Sequence, residues 1–570
     1  MESLVEIPIF TRSSSGIKAL IGPPKFQEFD QVSPIESKTC RTLIFSSVGS
    51  FLAHITGNTI TVLNTKDWSQ VSNIPNTKVY HIAFSPKGTY LLSWEPFTIT
   101  KENPEGSPNL KIFNTLTGEL TKTFIHKKQS NWEPQWSEDE KLFTHQVNND
   151  ITFYEENNFN RIVARINNHK VASYKLSPNV GTYFLLCHTL GAPGQPSVGR
   201  LFKYPKFDEQ IAAKSFFQAD KVEFLWNSKG NNALVLTSTD VDKTGSSYYG
   251  KQGLHFIGLN GQTAMVTMSK EGPIYSVQWS PKNHEFCVVY GFMPARATIF
   301  NLKCEPCFEL GSAARNSIYY NPHGNILLLG GFGNLRGHIE LWDAINKKKI
   351  EECEAPDTTL LQWAPDGAHF LTATTAPRLR TANGFKIWHY SGSLLHEKQW
   401  PQNEELYEVQ WTPYPKTIFK EPQITLEKVK GIEPSQPQVS KQVYRPPSAR
   451  NRPVVNFRMH EDDDGPRKVG NAPSKTALKN KKKRKAKKEK QQQSNGEGEE
   501  DNGDKVVSGV QINLTGDPEV DKKLKNIKKK LDAIDKLKRE KAAGRTLETN
   551  QLTKIEGEAD LLKELEQLTV

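Results

Sequence analysis

A short pattern recurs nine times along the first three-quarters of the chain. In each copy an apolar run ends in an aromatic residue or leucine, and a small turn residue (Ser, Asn, Thr or Ala) follows, often with Pro next. The last apolar residues of the nine copies are Phe45, Phe84, Trp136, Leu176, Trp226, Trp279, Tyr320, Trp363 and Trp411. Successive copies lie 39 to 53 residues apart. A period of about 40–50 residues, with four short strands in each copy, is typical of the blades of a β-propeller.

Residues 318–343 show how one copy is built. A turn signal, Asn321-Pro322-His323-Gly324, precedes the apolar run 326–329, and a Gly-rich reversal precedes a strand that ends in Trp342-Asp343. Pro and Gly here separate short strands rather than helices. A WD-repeat blade also ends one strand in an apolar-aromatic pair. Comparable strand ends occur at residues 62–64, 112–114, 299–301, 341–343 and 387–389.

We therefore predict an all-β fold, a nine-bladed β-propeller similar to WD-repeat proteins, although only one blade keeps the literal Trp-Asp pair. A large antiparallel β-sandwich is the alternative. A sandwich would not repeat nine times at a nearly constant period, so the repeat favours the propeller.

Aromatic residues mark the C-terminal end of this domain. All eleven Trp lie between Trp68 and Trp411, and the only aromatic residues after position 430 are Tyr444 and Phe457. The propeller is therefore expected to occupy residues 1–430. Two short apolar runs, 417–419 and 424–426, are all that follows the last copy of the pattern. Because unpaired sheet edges are a liability, we expect an N-terminal strand to complete the last blade.

The rest of the chain divides into two segments. Residues 431–516 are rich in Pro, Ser, Gln, Asn and charged residues, which predicts a disordered linker. Residues 517–568 begin with Asp517-Pro518, a helix N-cap and first-turn proline, and contain two heptad seams separated by residues 542–544, which predicts a helical hairpin. Residues 431–570 hold 31 Lys+Arg and 23 Asp+Glu, a net charge of +8 out of the chain's +11. This excess indicates a polyanionic partner.

Two basic clusters in this tail are the candidate contacts with RNA or the ribosome. The first is part of the run 481–490, and the second lies on the first predicted helix. Their members are Lys481, Lys482, Lys483, Arg484, Lys485, Lys487, Lys488, Lys522, Lys523, Lys525, Lys528, Lys529 and Lys530. A solvated charge run and a nuclear-import signal are alternative interpretations of the first cluster. We favour an RNA contact through phosphates, without base stacking, because no aromatic residues interleave these lysines.

Three motifs that could carry chemistry are better explained as structural. Residues 245–251 have the spacing of a phosphate-binding P-loop, but Gln252 stands where that motif needs Ser or Thr, and a strand pattern follows. Residues 331–337 form a Gly-rich loop between strands. Cys304 and Cys307 supply half of a zinc site, whereas a structural zinc needs four ligands. We expect no catalytic site, no cofactor and no metal.

Cysteine content and hydropathy indicate the compartment. The chain has six Cys with no disulfide-like spacing, no N-terminal signal peptide and no run of eighteen apolar residues. We therefore expect a reducing, cytoplasmic environment and no membrane partner.

Longer strings carry a more specific signal than any of these motifs. They are residues 238–250 (STDVDKTGSSYYG), 289–304 (VYGFMPARATIFNLKC), 330–337 (GGFGNLRG), 375–390 (TAPRLRTANGFKIWHY), 444–451 (YRPPSARN), 474–480 (SKTALKN) and 516–531 (GDPEVDKKLKNIKKKL). In these strings the chain resembles the family of eukaryotic translation initiation factor 2A, the single-chain factor, over nearly its whole length. The resemblance implies a nine-bladed propeller with a flexible basic C-terminal region.

The resemblance also implies a function. It implies a non-enzymatic initiation factor that binds the small ribosomal subunit and delivers initiator methionyl-tRNA without GTP and in a codon-dependent manner, in alternative or stress-related initiation. The implied partners are the small ribosomal subunit, initiator methionyl-tRNA, mRNA and other initiation factors. Two other functions stay open. One is a scaffold subunit of a larger initiation complex, similar to the propeller subunit of factor 3. The other is a propeller peptidase or hydrolase, which would need a catalytic cluster.

Overall fold

The computed structural model describes most of the first 435 residues and five residues near the C-terminus. The described ranges are 5–75, 78–99, 101, 104–167, 170–192, 195–217, 219–239 and 250–435, with Leu531, Ile534, Lys538, Ala542 and Glu558. The chain divides into two units, Met1–Tyr444 and Arg445–Val570. Within the described part of the chain, no helix has the length and apolarity that a membrane span requires.

The described part of the first unit is built from β-strands alone, in nine four-stranded antiparallel sheets. Three strands come first along the chain: β1 (Pro8–Ser13), β2 (Gly16–Ile21) and β3 (Ile35–Glu36). Sheet 1 contains β4 (Cys40–Phe45), β5 (Phe51–Thr56), β6 (Thr59–Asn64) and β7 (Gln70–Pro75). Sheet 2 contains β8 (His81–Phe84), β9 (Tyr90–Trp94), β10 (Leu110–Asn114) and β11 (Leu120–Phe124). Sheet 3 contains β12 (Gln135–Trp136), β13 (Leu142–Val147), β14 (Asp150–Glu155) and β15 (Ala164–Ile166).

The next three sheets follow the same order. Sheet 4 contains β16 (Val171–Leu176), β17 (Phe184–Thr189), β18 (Ser197–Lys203) and β19 (Lys206–Phe216). Sheet 5 contains β20 (Lys221–Trp226), β21 (Asn232–Ser238), β22 (Gln252–Gly258) and β23 (Thr263–Met265). Sheet 6 contains β24 (Ile274–Trp279), β25 (Glu285–Tyr290), β26 (Ala295–Asn301) and β27 (Pro306–Ala313).

The last sheets complete the set. Sheet 7 contains β28 (Ser317–Tyr320), β29 (Ile326–Gly330), β30 (His338–Asp343) and β31 (Lys348–Glu354). Sheet 8 contains β32 (Leu360–Trp363), β33 (His369–Thr374), β34 (Gly384–His389) and β35 (Leu394–Gln399). Sheet 9 combines β36 (Leu406–Trp411) with the three N-terminal strands, in the order β3-β2-β1-β36. The predicted nine-bladed β-propeller is confirmed, and the β-sandwich alternative is excluded.

Every copy of the recurring pattern ends the innermost strand of one sheet. Its last apolar residue closes that strand. In the first eight copies the small residue begins the turn to the second strand, whereas Thr412 of the ninth copy begins the segment that follows β36. In sheet 2 the buried Ser85 Oγ accepts the backbone N–H of Tyr90 at 2.9 Å. In sheet 7 the buried Asn321 Oδ1 accepts the N–H groups of Gly324 and Ile326 at 2.8 and 3.1 Å. In seven of the nine copies a short side-chain oxygen satisfies turn N–H groups in this way, which burial removes from water. Ala364 has no such oxygen, and Thr412 Oγ1 has no hydrogen-bond partner among the described residues.

Hydrogen bonds from the ends of the inner strands join neighbouring sheets. Gln135 Nε2 donates to the carbonyl of Tyr174 at 3.0 Å, and Gln135 Oε1 accepts from the N–H of Leu176 at 2.9 Å. These two bonds link sheet 3 to sheet 4. In the other direction, the Trp279 indole N–H of sheet 6 donates to the carbonyl of Leu225 in sheet 5 at 2.8 Å. Gln-Trp pairs end four inner strands, at residues 135–136, 278–279, 362–363 and 410–411.

Sheet 9 closes the ring by joining the two ends of the propeller sequence. Strand β36 pairs with β1 in antiparallel register, with Trp411 opposite Ile9. Gln410 Nε2 of sheet 9 also donates to the carbonyl of Leu43 in sheet 1 at 3.0 Å. Three N-terminal strands therefore join a single C-terminal strand. The apolar runs 417–419 and 424–426 form no strand.

The core lies between the sheets rather than within a single layer. Ile326 and Leu328 of β29 pack in a cluster with Phe370 and Trp388 of sheet 8. Their neighbours Leu327 and Leu329 pack in a cluster with residues of sheet 6. Both faces of the strand are buried, which explains why this run is continuously apolar instead of alternating.

Residues 412–435, named the strap here, follow β36 and cross the ends of three sheets. The strap bonds in turn to sheets 6, 7 and 8: Lys282 Nζ to Glu421 at 3.0 Å, Asn325 Nδ2 to the carbonyl of Pro422 at 2.8 Å, and Tyr390 OH to the carbonyl of Gln423 at 3.0 Å. It ends beside β35, where the N–H of Ser435 donates to Glu397 Oε2 at 2.8 Å. The contacts of this unit therefore extend beyond residue 430.

The predicted linker lies outside the described residues, apart from its first five positions. The predicted helical hairpin also lies outside them except at five positions, all of which are helical. Leu531 and Ile534 are buried, and Lys538 forms an ion pair with Glu558.

Replacement of Gln135 tests the hydrogen bonds between sheets. Gln135→Leu removes both bonds to sheet 4 and leaves the carbonyl of Tyr174 and the N–H of Leu176 without these partners, which costs about 1–3 kcal/mol. We expect a lower midpoint of urea unfolding. The matched control Gln402→Leu changes an exposed glutamine and should leave the midpoint nearly unchanged. Equal midpoints for both variants would show that the Gln135 bonds add nothing to stability.

Candidate nucleic-acid interface

The basic clusters predicted from the sequence, Lys481 to Lys488 and Lys522 to Lys530, lie outside the described residues. They stay a prediction. The interface described below is built instead from loops of the propeller, which the sequence did not single out by their charge.

Antiparallel order places the loops of each sheet at two ends. The loop from second to third strand lies at one end, together with the loop that enters the sheet from its predecessor. This end is named the upper face. The turns from first to second strand and from third to fourth strand form the lower face, where the strap lies. Within the described residues, no chain segment crosses the upper face as the strap crosses the lower one.

Four of the strings that resemble initiation factor 2A contain loops of the upper face. They are the loops between the second and third strands of sheets 5 to 8: residues 239–251, 291–294, 331–337 and 375–383. The first of these contains the P-loop-like segment, of which only Gly250 and Lys251 are described. The strand β22 follows it directly, where a P-loop needs a helix.

Close packing holds the Gly-rich loop 331–337 in place. Gly337 has a φ of +83°, and a Cβ added there would lie 2.1 Å from the carbonyl oxygen of Ala355. A Cβ on Gly331 would lie 2.1 Å from the carbonyl oxygen of Ala314. These glycines let two backbones approach each other, which is a structural role.

Arginines on two of these loops are exposed. Arg336 lies in the loop of sheet 7 and Arg378 in the loop of sheet 8. A Cβ on Gly333 would lie 2.8 Å from Arg378 Nη2, so Arg378 reaches over the loop of the neighbouring sheet. An exposed guanidinium can bind phosphate through two parallel N–H groups.

Basic residues outnumber acidic ones among the described residues of the upper loops. The basic residues are Lys38, Lys78, Lys101, Lys127, Lys128, Lys170, Lys251, Lys270, Arg315, Arg336, Arg378 and Arg380. The acidic residues are Glu95, Glu105, Glu133, Asp220, Glu271, Asp357, Glu404 and Glu405. The complete loop sequences add Glu102, Asp240, Asp242 and Lys243, and Arg315 is buried against Glu340. The loops as a whole therefore carry little net charge, and positive charge is concentrated locally, as at Arg336, Arg378 and Arg380.

Sequence reasoning missed these arginines, although a signal was present. Arg336, Arg378 and Arg380 all fall between a second and a third strand of the repeat, so the predicted blade order alone would have placed them on one face.

A buried ion pair supports the upper end of sheet 7. Arg315 Nη1 lies 2.7 Å from Glu340 Oε2, and both side chains are almost fully buried. His338 and Glu352 lie close enough to Glu340 for the three to hold a metal ion together. Arg315 binds Glu340 Oε2, and Glu340 Oε1 lies 3.8 Å from His338 Nε2. Together with Glu352 the group offers three ligands, one fewer than a structural zinc site needs.

The thiols of the chain form no metal cluster among the described residues. All six cysteines are free, and Cys304 and Cys307 lie at the turn between β26 and β27. Burial raises the pKa of the Cys304 thiol to about 11, which disfavours the thiolate that binds zinc.

A central cavity of about 1310 Å³ lies between the inner strands of sheets 3 to 6. Its lining includes Trp136, Tyr174, Trp226 and Trp279, and Lys416 of the strap also contributes. The indole N–H groups of Trp226 and Trp279 are engaged in bonds to neighbouring inner strands, so these rings are structural.

Three histidines on second strands are buried and uncharged. His54, His145 and His188 lie on β5, β13 and β17 and are at most 4% exposed. Burial lowers the pKa of each to about 4, and the nearby His126 contributes a smaller decrease at His145. Within the described part of the chain, Nε2 of His145 and of His188 has no hydrogen-bond partner. Protonation of these rings would therefore oppose folding.

Comparison with known proteins identifies the class. The family model described as Eukaryotic translation initiation factor eIF2A matches residues 214–409. Eukaryotic translation initiation factor 2A of Drosophila melanogaster is 45% identical over 427 residues, which are 73% of this chain and 67% of that protein. The Caenorhabditis elegans protein of the same name is 32% identical over 573 residues, 98% of each chain.

A solved structure shows the same fold. A protein described as "the eukaryotic initiation factor" has 31% identity and a TM-score of 0.66, and the match covers 72% of this chain and all of that chain. The fold and these matches define a propeller-type translation initiation factor. The chain belongs to the family of eukaryotic translation initiation factor 2A.

The buried histidines make stability depend on pH. Their pKa falls from an ordinary 6.5 to about 4 on folding, so between these values the unfolded chain binds more protons than the folded one. The free energy of unfolding is therefore unaffected by these histidines above pH 6.5 and decreases as the pH falls from 6.5 towards 4. His188→Asn cannot protonate and should weaken this dependence, by an amount on the order of 1–3 kcal/mol. Urea unfolding on both sides of pH 6.5 measures it. The exposed His284→Asn is the control, and equal pH slopes for His188→Asn and wild type would contradict the prediction.

Proposed function

We propose that the protein binds the small ribosomal subunit and promotes delivery of initiator methionyl-tRNA without GTP and in a codon-dependent manner, in alternative or stress-related initiation. Membership of the factor 2A family carries this proposal, because a relative of that name matches over nearly the full length of both chains. The proposed mechanism is non-enzymatic, and the proposed location is the cytoplasm.

The propeller supplies a preformed docking surface in this proposal. Sheets joined through their inner strands hold the upper loops in fixed positions, so little conformational entropy is lost on binding. Exposed Arg336 and Arg378 suit a phosphate backbone, whether of ribosomal RNA or tRNA. The basic tail adds a second, electrostatic contact with mRNA or the ribosome at high effective concentration.

Filter binding of labelled initiator methionyl-tRNA to purified small subunits tests the proposed delivery. The protein should increase retention without GTP when the mRNA start codon pairs with the anticodon, and less when the codon is changed. Elongator methionyl-tRNA serves as the matched control. Equal retention with and without the protein would refute the proposed delivery.

Shortening the chain tests the role of the basic tail. A chain that ends after Ser435 keeps every described contact of the strap and should remain folded. It should bind small subunits and mRNA more weakly, with a smaller change in affinity between low and high salt, because fewer counterions are released. Fluorescence anisotropy over a salt series measures both. An unchanged affinity and salt slope would remove the tail from the proposed mechanism.

A scaffold role in a larger initiation complex is the second candidate. A component of eukaryotic translation initiation factor 3 from Dictyostelium discoideum is 24% identical over 408 residues, which are 68% of this chain and 58% of that protein. A scaffold protein would elute from cell extract in a large, stable complex at high salt. A delivery factor would elute near its own size or leave the ribosomal fraction as salt rises. Size-exclusion chromatography of extract separates the two roles.

A further inference from the structure

Aromatic rings from three segments stack at the upper end of sheet 2. The His81 ring lies between Trp94 and Trp132, with centroid distances of 5.8 and 5.9 Å and interplanar angles of 28° and 11°. These three residues are named the aromatic stack. Trp94 at its base is buried, whereas Trp132 at the other end is partly exposed. The Tyr80 ring stands edge-on to His81 at 4.7 Å, and Tyr80 is 54% exposed.

Hydrogen bonds fix the loops that carry the stack. The Trp94 indole N–H donates to the carbonyl of His126 at 3.0 Å. Asn109 Nδ2 donates to the carbonyls of both Glu95 and His126 at 2.8 Å. Gln129 Nε2 and His81 Nε2 lie 3.1 Å apart. The stack is therefore held in place in the free chain, and little order has to be created on binding.

Positive charge and exposed apolar surface accompany the stack. Lys127 Nζ lies 5.0 Å from the centre of the Phe97 ring, and the adjacent Lys128 is exposed. Ile99 and Ile125, on the same two loops, are 64% and 43% exposed. Aromatic and aliphatic side chains are thus exposed to water together at one end of this sheet. Such exposed apolar surface is typical of a binding site.

We propose that Tyr80 and the aromatic stack form a binding site for unpaired bases of single-stranded RNA, and that Lys127 and Lys128 bind the flanking phosphates. Every base has a π-face that can stack on such rings, so the site accepts many sequences. Lysines beside the rings favour a ligand with both planar rings and negative charge over an apolar peptide. The choice of RNA as the ligand rests on the proposed function.

This site complements the predicted basic tail. The tail clusters contain lysines and one arginine but no aromatic residues, so they can bind phosphates but offer no aromatic ring on which a base could stack. The upper end of sheet 2 supplies the rings. Unpaired RNA could come from mRNA or from the single-stranded 3′ end of a tRNA, and the two sources need separate probes.

Anisotropy with the full chain and a labelled oligouridine of about ten nucleotides tests the proposal. Tyr80→Ala should weaken binding by about fivefold or more, whereas Tyr80→Phe should bind like wild type and Tyr80→Leu like Tyr80→Ala, because stacking needs a ring. Lys127→Ala with Lys128→Ala should lower the slope of log affinity against log salt by about one to two. A duplex RNA of the same length should bind without dependence on Tyr80.

Matched controls lie at the opposite end of the same region. Leu116→Ala removes an exposed apolar side chain from the lower face of sheet 2, and Lys66→Ala removes an exposed lysine from the lower face of sheet 1. Neither should change RNA affinity. A tRNA lacking its single-stranded 3′ end identifies the source: loss of Tyr80-dependent binding indicates the tRNA end, and retention indicates mRNA-like segments.

Two results would overturn the proposal. If Tyr80→Ala and Tyr80→Leu bind oligouridine like wild type, the rings do not bind bases. If Tyr80→Leu binds oligouridine more tightly than Tyr80→Ala and this affinity does not change with salt, the surface is an apolar peptide site. Either result would leave the proposed function standing if the protein still promotes retention of initiator methionyl-tRNA on small subunits. Normal oligouridine binding without that retention would refute the proposed function alone.

Discussion

Closure between β1 and β36 is the contact on which the rest of the propeller depends. Each sheet buries its faces against its neighbours, so an open ring would leave two sheets half exposed and two edges unpaired. The ion pair between Arg12 and Glu408, at 2.9 Å, lies in the same pair of strands. Gln410 extends the connection to sheet 1 through the carbonyl of Leu43. The hydrogen bonds of Gln135 and Trp279 show the same principle elsewhere in the ring.

The two faces of the ring differ in the segments that lie on them. The strap bonds to the lower face at sheets 6, 7 and 8, and its last described residue, Ser435, lies beside the outer strand of sheet 8. The upper face carries the loops of sheets 5 to 8 with Arg336 and Arg378, and the aromatic stack of sheet 2. The strap covers the lower face at these three sheets, whereas the candidate contacts with partners lie on the upper loops.

Most of the fold was predictable because its signals are local. Ser85 and Asn321 stand in turns where a short side-chain oxygen must accept backbone N–H groups, so turn chemistry recurs with the period of the blade. The strap was not predictable, since Ile424 is apolar for packing against the lower face of the ring and not for joining a strand. The number of N-terminal strands in sheet 9 was also not predictable, because pairing between Ile9 and Trp411 spans nearly the whole propeller sequence.

The candidate interface divides in the same way. The amino-acid sequence by itself determined the repeat, the number of blades, the family and the basic character of the tail, because these follow from turn chemistry, hydropathy and composition within short stretches. Only the tertiary structure decided that His81, Trp94 and Trp132 share one stack and that Arg378 reaches over Gly333 of the neighbouring loop. Those groupings depend on the closure of the ring and on antiparallel order, which bring the ends of separate strands to one face whatever their distance along the chain.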